Sequence, residues 1–239
     1  MNTSTKQLNG SSSAPVAASL QDEAEQSARL RNAVLARRPH LVLDIGGVLL
    51  SNLSPLFWQL VAEAAEVDHA TLYNRYKRDI SPSLWRGLID EEQFWDWLLE
   101  QAPKVGTPEA RTFLSRSLNP LPAMERLPQW SQVAEVHILS NHLLAWVMPL
   151  LMPVQACLTH IVVSSSTGWR KPQSELFAHL DGLLPRAAPV LFVDDQLPNL
   201  RQAETFGWDV ALADPDGRWI ETVDGWLSPL TSVDEGHRL

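Results

Sequence analysis

The sequence predicts an α/β fold: a parallel sheet with helices on both faces and a small inserted helical segment. Three observations carry this. Short apolar runs recur along the chain and alternate with helical patterns. Three of these runs end in polar residues, at Asp44, at Ser140-Asn141 and at Asp194-Asp195. Between the first and second lies a stretch, 54–130, with helix signals and no strand alternation.

Residues 1–18 are rich in Ser, Ala, Asn and Thr without apolar period, and read as a disordered tail. Residues 20–36 can form a helix with Leu20, Leu30, Val34 and Leu35 as a thin stripe, so 1–38 is expected to be disordered or partly helical. No apolar run follows the start, so no secretory signal is expected, and Asp22, Glu23 and Glu25 argue against an acid-poor transit peptide. The ordered part begins at His40. Leu41-Val42-Leu43, followed by Asp44 and bounded by Gly46-Gly47, reads as a central buried strand.

Ser54-Pro55 reads as an N-cap with proline at the first helical position. Leu56, Phe57, Leu60, Val61 and Ala64 would share one face behind it. Asp90-Glu91-Glu92-Gln93 has the pattern of a capping box, with Phe94, Trp97 and Leu98 inward. Thr107-Pro108 opens another helix. Further strands are expected at Val136–Leu139, Ile161–Val163, Val190–Val193 and Trp208–Leu212, with helices over 174–183 and 197–206. The expected units are a core of 39–50 and 131–230, a helical insert 51–130 and a C-terminal tail 231–239. There is no internal repeat.

The chain has 239 residues, 45% of them apolar, enough for a real core. Its 19 basic residues stand against 28 acidic ones, for a formal charge of −9. After position 38 the imbalance widens to 14 basic against 25 acidic, which disfavours nucleic acid as a partner. The single cysteine, Cys157, excludes an internal disulfide and any multi-cysteine metal site, and is expected to be a small buried residue. No run of about 18 apolar residues exists, so no membrane span is expected; a cytoplasmic location is. The seven histidines show no paired metal spacing. Of ten tryptophans, Trp58, Trp85, Trp95, Trp97 and Trp130 fall in or beside the insert, to pack it or to line a pocket.

Ligands of open α/β sheets bind outside the carboxyl ends of the strands. Asp44, Ser140-Asn141 and Asp194-Asp195 would converge there, with Lys171 in the loop Gly168–Pro172. Clustered carboxylates repel one another unless a cation joins them, and oxygen ligands suit a hard ion such as Mg2+. An ion, a lysine, a hydroxyl and backbone N–H groups together make a phosphate clamp. A carboxylate facing a clamped phosphorus is a plausible nucleophile. Taken singly, each group has a plainer reading as a turn or helix cap.

These residues resemble the four motifs of the haloacid dehalogenase (HAD) superfamily. Leu43-Asp44-Ile45-Gly46-Gly47-Val48-Leu49 looks like motif I and Ile138-Leu139-Ser140-Asn141 like motif II. Gly168-Trp169-Arg170-Lys171-Pro172 with Glu175-Leu176-Phe177 is similar to motif III. Phe192-Val193-Asp194-Asp195, with Pro198-Asn199 and Phe206-Gly207, is similar to motif IV. The resemblance spans about 40–213. It implies a Rossmann-like core with a mobile helical cap between motifs I and II. It implies Asp44 as nucleophile and Mg2+ ligand, and Ser140, Asn141, Gly47 and Lys171 as phosphate binders, Lys171 also holding Asp44. Asp195 would ligate Mg2+ directly, the Gly46 carbonyl would join it, and Asp194 would be a second ligand or a partner of Lys171.

One departure stands out. Phosphatases of this superfamily usually carry a second aspartate two residues after the nucleophile, as general acid and base; here the position is Gly46. Loss of such help costs about 10²–10⁴-fold. The expected substrate is therefore a small phosphorylated metabolite with a good leaving group, such as an anomeric sugar, acyl or aryl phosphate. His142 is a candidate replacement acid. Two alternatives stay open: a catalytically weak member binding a phospho-ligand or a protein, and a metal-independent 2-haloacid dehalogenase. The oligomeric state is not legible.

Overall fold

The apolar runs at 41–43, 136–139, 161–163, 190–193 and 209–212 are the strands of one sheet in a computed structural model, which describes residues 38–186 and 188–231. The expected helix at 20–36 and the tails 1–37 and 232–239 lie outside the described residues. The strands are β1 (His40–Leu43), β2 (Glu135–Ser140), β3 (His160–Val163), β4 (Val190–Asp194) and β5 (Asp209–Leu212). All neighbours run parallel, in the order β3-β2-β1-β4-β5.

Strand period sorts the side chains into two layers. Leu41, Leu43, Val136, Ile138, Leu191 and Val193 point to one face and pack on Leu127, Val147 and Val223. Those three come from α6 (Leu127–Val133), α7 (Leu144–Leu151) and the last described helix, α11 (Trp219–Thr231). Val42, Leu139, Val162 and Phe192 point to the other face and meet α9 (Ser174–Asp181) and α10 (Leu197–Glu204). A short α8 (Ser164–Thr167) follows β3. With helices covering both faces, every strand residue of β1 and β4 is buried.

Between β1 and β2 come α1 (Leu56–Ala65), α2 (His69–Asp79), α3 (Ser81–Leu84), α4 (Glu91–Gln101) and α5 (Thr107–Ser117). They share an aromatic-rich core of their own, running from Leu53 to Leu118 and joined by Leu143 and Trp146 of the sheet body. Trp58 and Trp95 are inside it, Trp97 is half-buried on it, and Trp130 packs on the sheet instead. The segment 122–133, which straddles the expected end of the insert at 130, likewise packs on the sheet through Ala123, Met124 and Leu127. The crossings between sheet and helices are tied together: Ser51 N–H donates to Asn119 O at 2.8 Å, and Ser51 Oγ donates to Ser117 O at 2.7 Å.

The capping box at α4 is complete, with Asp90 accepting from Gln93 N and Gln93 Oε1 accepting from Asp90 N. Four local readings need correction. The first helix starts at Leu56, with Pro55 in the cap position and no side-chain cap bond from Ser54. Its buried face is Phe57, Trp58, Val61, Ala62 and Ala65, and Leu56 is exposed. The stripe is rotated by one residue because Trp58, the largest side chain, takes the inside. On α4 the buried set is Phe94, Trp95 and Leu98, with Trp97 half-buried against the same core. Cys157 is free and only partly buried, since it ends a surface 3-10 turn rather than a strand.

At the amino edge of the sheet three histidines line up across β1, β2 and β3. His40 Nδ1 and His137 Nε2 are 2.9 Å apart, and the His137 and His160 rings stack at 5.2 Å. Burial lowers the His40 pKa, and burial with the two neighbouring imidazoles lowers that of His137 to about 3. The unfolded chain therefore takes up protons below its ordinary histidine pKa of about 6.5 while the folded chain resists them. Stability is fully present above that value and is lost as pH falls toward 3, by up to about 1.4 kcal/mol per pH unit for each such group. Denaturant melts of wild type and His137→Leu from pH 7 to 4 should show a shallower acid decline in the variant. Parallel declines would remove His137 as the cause.

Candidate active site

The strand order reverses between β1 and β4, and the chains leaving those two strands diverge to opposite sides of the sheet. The register sets Leu43 beside Val193, and Asp44 N–H donates to Val193 O at 2.9 Å, so Asp44 and Asp194 emerge side by side. Ser140 closes β2 on the other flank of β1. The sheet thus brings the three predicted groups to one edge, in a cleft of about 300 Å³. Asp44, Gly46, Ser140, Asn141 and Lys171 line its floor.

Lys171 is the hub. Its ammonium is 2.8 Å from Asp44 Oδ1 and 2.5 Å from Asp194 Oδ2, and all three side chains are at least nine-tenths buried. Burial works against the charged lysine, but Asp44 and Asp194 more than offset it and raise its pKa. Asp194 is pushed up by its own burial and by repulsion from Asp44, partly relieved by Lys171 and Asn199. Two carboxylates thus share one ammonium.

The remaining bonds divide the labour. Asp44 Oδ1 also accepts from Ile45 N at 2.7 Å, while Oδ2 has no hydrogen bond among the described residues. Asp194 spends both oxygens, accepting from Gln196 N at 2.8 Å, from Asn199 Nδ2 at 2.9 and 3.0 Å and from Lys171. It is therefore the fixed partner of Lys171. Asp195 keeps Oδ1 buried and unpartnered, and its Oδ2 accepts from Asn52 Nδ2 at 3.0 Å. A buried anionic oxygen without a partner is costly unless something occupies it. One oxygen each of Asp44, Asp194 and Asp195 lie within 4.8 Å of one another, a donor set that fits a hard divalent cation.

Asn141 plays a part that sequence reading did not give it. Its Oδ1 accepts from Lys171 N at 2.7 Å and its Nδ2 donates to Lys171 O at 3.0 Å. The side chain clamps the lysine loop, which leaves the backbone of Asn141 and the hydroxyl of Ser140 to face the cleft. Gly47 has φ +72°, and a Cβ there would lie 2.6 Å from Asp195 Oδ2, so glycine is required beside that carboxylate.

Gly46 has a different constraint. A Cβ on it would meet Asn52 Oδ1 at 2.6 Å. In this arrangement that space is held by the amide end of Asn52, an exposed side chain that a residue at 46 would have to displace. Only the return of the turn after β1 brings this residue there, and no motif announced it. His142 is buried, accepts from Leu143 N at 3.1 Å and has its pKa lowered to about 4 by burial and by the Lys171 charge. It is neutral at pH 7, so it is not a ready proton donor, contrary to the expectation that it might replace the acid. Tyr73, Tyr76, Lys77 and Trp85 line the cleft from the helical side. Trp85 was among the tryptophans expected to pack the insert or line a pocket; helix periodicity did not single out the other three.

The fold is that of HAD family enzymes. The chain superimposes on the HAD family enzyme BT-2542 of Bacteroides thetaiotaomicron with a TM-score of 0.66 at 20% identity, over 77% of this chain and 98% of that one. A HAD-like family hydrolase of Porphyromonas gingivalis gives 0.65 at 20% identity, over 80% and 98%. The L-2-haloacid dehalogenase PA0810 gives 0.54 at 18% identity, over 73% and 83%. BT-2542 also has structures with magnesium, and with magnesium and inorganic phosphate. No protein-family model matches the chain, and no curated protein matches it significantly by sequence. Among the described residues no helix is long and apolar enough to cross a membrane.

Proposed function

We propose that this chain is a HAD-like hydrolase, a Mg2+-dependent phosphatase of a small phosphorylated metabolite, acting through an aspartyl-phosphate on Asp44. One observation carries the reading: a buried Lys171 holds Asp44 by Oδ1 with Oδ2 free, beside the orphaned Asp195 oxygen, on the floor of a cleft. Asp44 Oδ2 attacks phosphorus, and the ester oxygen leaves with the bonding pair. Water then attacks the phosphorus of the aspartyl-phosphate, releasing inorganic phosphate and restoring Asp44. Lys171, the Ser140 hydroxyl and the backbone N–H of Asn141 would hold the phosphoryl oxygens; the Gly47 N–H, expected to join them, instead donates to Leu50 O at 2.8 Å. Asp44, Asp195 and the Gly46 carbonyl would hold Mg2+, with Asp194 behind them. When bound, the ion supplies positive charge to the phosphoryl oxygens. The helices over 53–118 act as a cap that closes the cleft and excludes water.

With Asn52 filling the space at Gly46, the leaving group departs without an aspartic acid to protonate it. Activity is expected to rise steeply as leaving-group pKa falls, from alkyl through sugar C1 to aryl and acyl phosphates. It is expected to vanish with EDTA and return with Mg2+. Saturating Mg2+, at about 100 times its Kd, should also stabilise the fold by about 2.7 kcal/mol. Equal rates on alkyl and aryl phosphates would overturn the leaving-group argument. Binding of phosphate esters without turnover would favour the weak phospho-ligand binder, a reading supported by the missing acid at Gly46 and the long N-terminal tail. EDTA-insensitive chloride release from a 2-haloacid would establish a dehalogenase.

A further inference from the structure

We infer that the cleft carries a second anion subsite, built from Arg170 and Lys77, and that its substrate is a phosphate ester bearing a further carboxylate or phosphate on a flat, partly apolar body. This rests on the phosphatase reading of the same cleft. Arg170 precedes the buried Lys171 and lines the cleft from the sheet side; Lys77, on α2, lines it from the helical side.

Their place is the telling feature. Arg38, Arg78, Lys104, Arg111, Arg126 and Arg218 each pair with a carboxylate. Of the described cations that pair with none (Arg75, Lys77, Arg86, Arg116, Arg170, Arg186 and Arg201), Arg170 and Lys77 are the two that line the cleft. The transferring phosphoryl group does not account for them, because the floor already supplies Lys171. Two open cations around one small cleft leave charge for a second anion. Arg170 offers a planar fork that fits carboxylate or phosphate, and Lys77 a mobile point charge.

The wall between them is aromatic. The Lys77 ammonium lies 5.9 Å from the Tyr73 ring centroid. Trp85 stands edge-on to His142, with ring centroids 5.4 Å apart. Arg170, Tyr73, Tyr76 and Trp85 all line the same cleft, so the guanidinium and the aromatic wall share it. A flat body stacked on Tyr73 and Trp85 would carry its phosphate down to Asp44 and its second anion to Arg170 and Lys77.

The test compares phenyl phosphate with 3- and 4-carboxyphenyl phosphate in the presence of Mg2+. Wild type should favour a carboxylated ester by about tenfold or more in kcat/KM, mainly through KM. Arg170→Gln and Lys77→Gln should each shrink that ratio, and the double variant should bring it toward one. Hydrolysis of all three esters at equal kcat/KM, or a ratio that neither variant moves, would overturn the subsite and leave the phosphatase reading standing. Hydrolysis of none would overturn the phosphatase reading instead. The subsite is then read by calorimetry: tighter binding of 4-carboxyphenyl phosphate than phenyl phosphate, lost in Arg170→Gln, supports it, and equal binding overturns it.

Discussion

Asp44→Asn is expected to lower kcat by about 10⁴-fold or more on any phosphate ester that wild type hydrolyses. The substitution is close to isosteric. The amide oxygen can keep the bonds that Asp44 Oδ1 accepts from Ile45 N and Lys171. What it removes is the anionic Oδ2, the one oxygen of the pair with no bond to the protein. An amide nitrogen is no nucleophile toward phosphorus, so no covalent intermediate can form. Lys171 retains Asp194, so the ammonium is not stranded and the fold should hold. Rapid-quench measurement of phosphate burst and turnover, with melting temperature as control, checks both halves. A folded variant that keeps a tenth of wild-type turnover would remove Asp44 as the nucleophile. The same variant separates chemistry from binding, since phosphate esters should still enter the cleft.

How much of this could be read in advance depended on how each residue reaches the site. Asp44, Ser140 and Asp194 were legible because they terminate apolar runs, and parallel strands must end at one edge. Lys171 was legible only through the motif around it, since a lone loop lysine has no periodicity. Asn52 was not legible at all. It reaches Gly46 and Asp195 because the chain after β1 doubles back, with Gly47 N–H donating to Leu50 O and Leu50 N–H to Ile45 O. Side chains delivered by such a turn have no fixed spacing from the strand they serve. Tyr73, Tyr76 and Lys77 failed for another reason. On α2 the residues facing the helical core and those facing the cleft are neighbours on one surface, and sequence cannot divide them until the partner surface is known. The net charge of the chain pointed away from anionic ligands. Net charge says nothing of where individual cations sit, and Arg170 and Lys77 both line the cleft.

Lys171→Met should reveal the cost of the acidic cluster when its cation is absent. The ammonium sits between Asp44 and Asp194, both buried, and the methionine fills similar volume without charge. Breaking a buried pair by removing one partner costs about 3–5 kcal/mol, because the other charge stays desolvated. Here two carboxylates remain, so the variant can relieve itself only by taking up a proton. Asp194, already pushed up by burial and by Asp44, loses the lysine that held it down, so its folded pKa rises further. By linkage, a carboxyl whose folded pKa is raised destabilises the fold at high pH, and the penalty shrinks as pH falls from that raised value toward the unfolded one, about 3.9. The deficit of Lys171→Met against wild type should therefore be largest near pH 7.5 and shrink toward pH 5. Mg2+ should narrow it as well, by giving Asp44 and Asp195 the positive charge that the lysine no longer shares. Turnover should not return with the fold, because the phosphoryl group has lost its buried ammonium. Denaturant melts at pH 5 and 7.5, each with and without Mg2+, separate these effects. A deficit under about 1 kcal/mol that ignores both pH and Mg2+ would mean that the carboxylates do not depend on Lys171 for their burial.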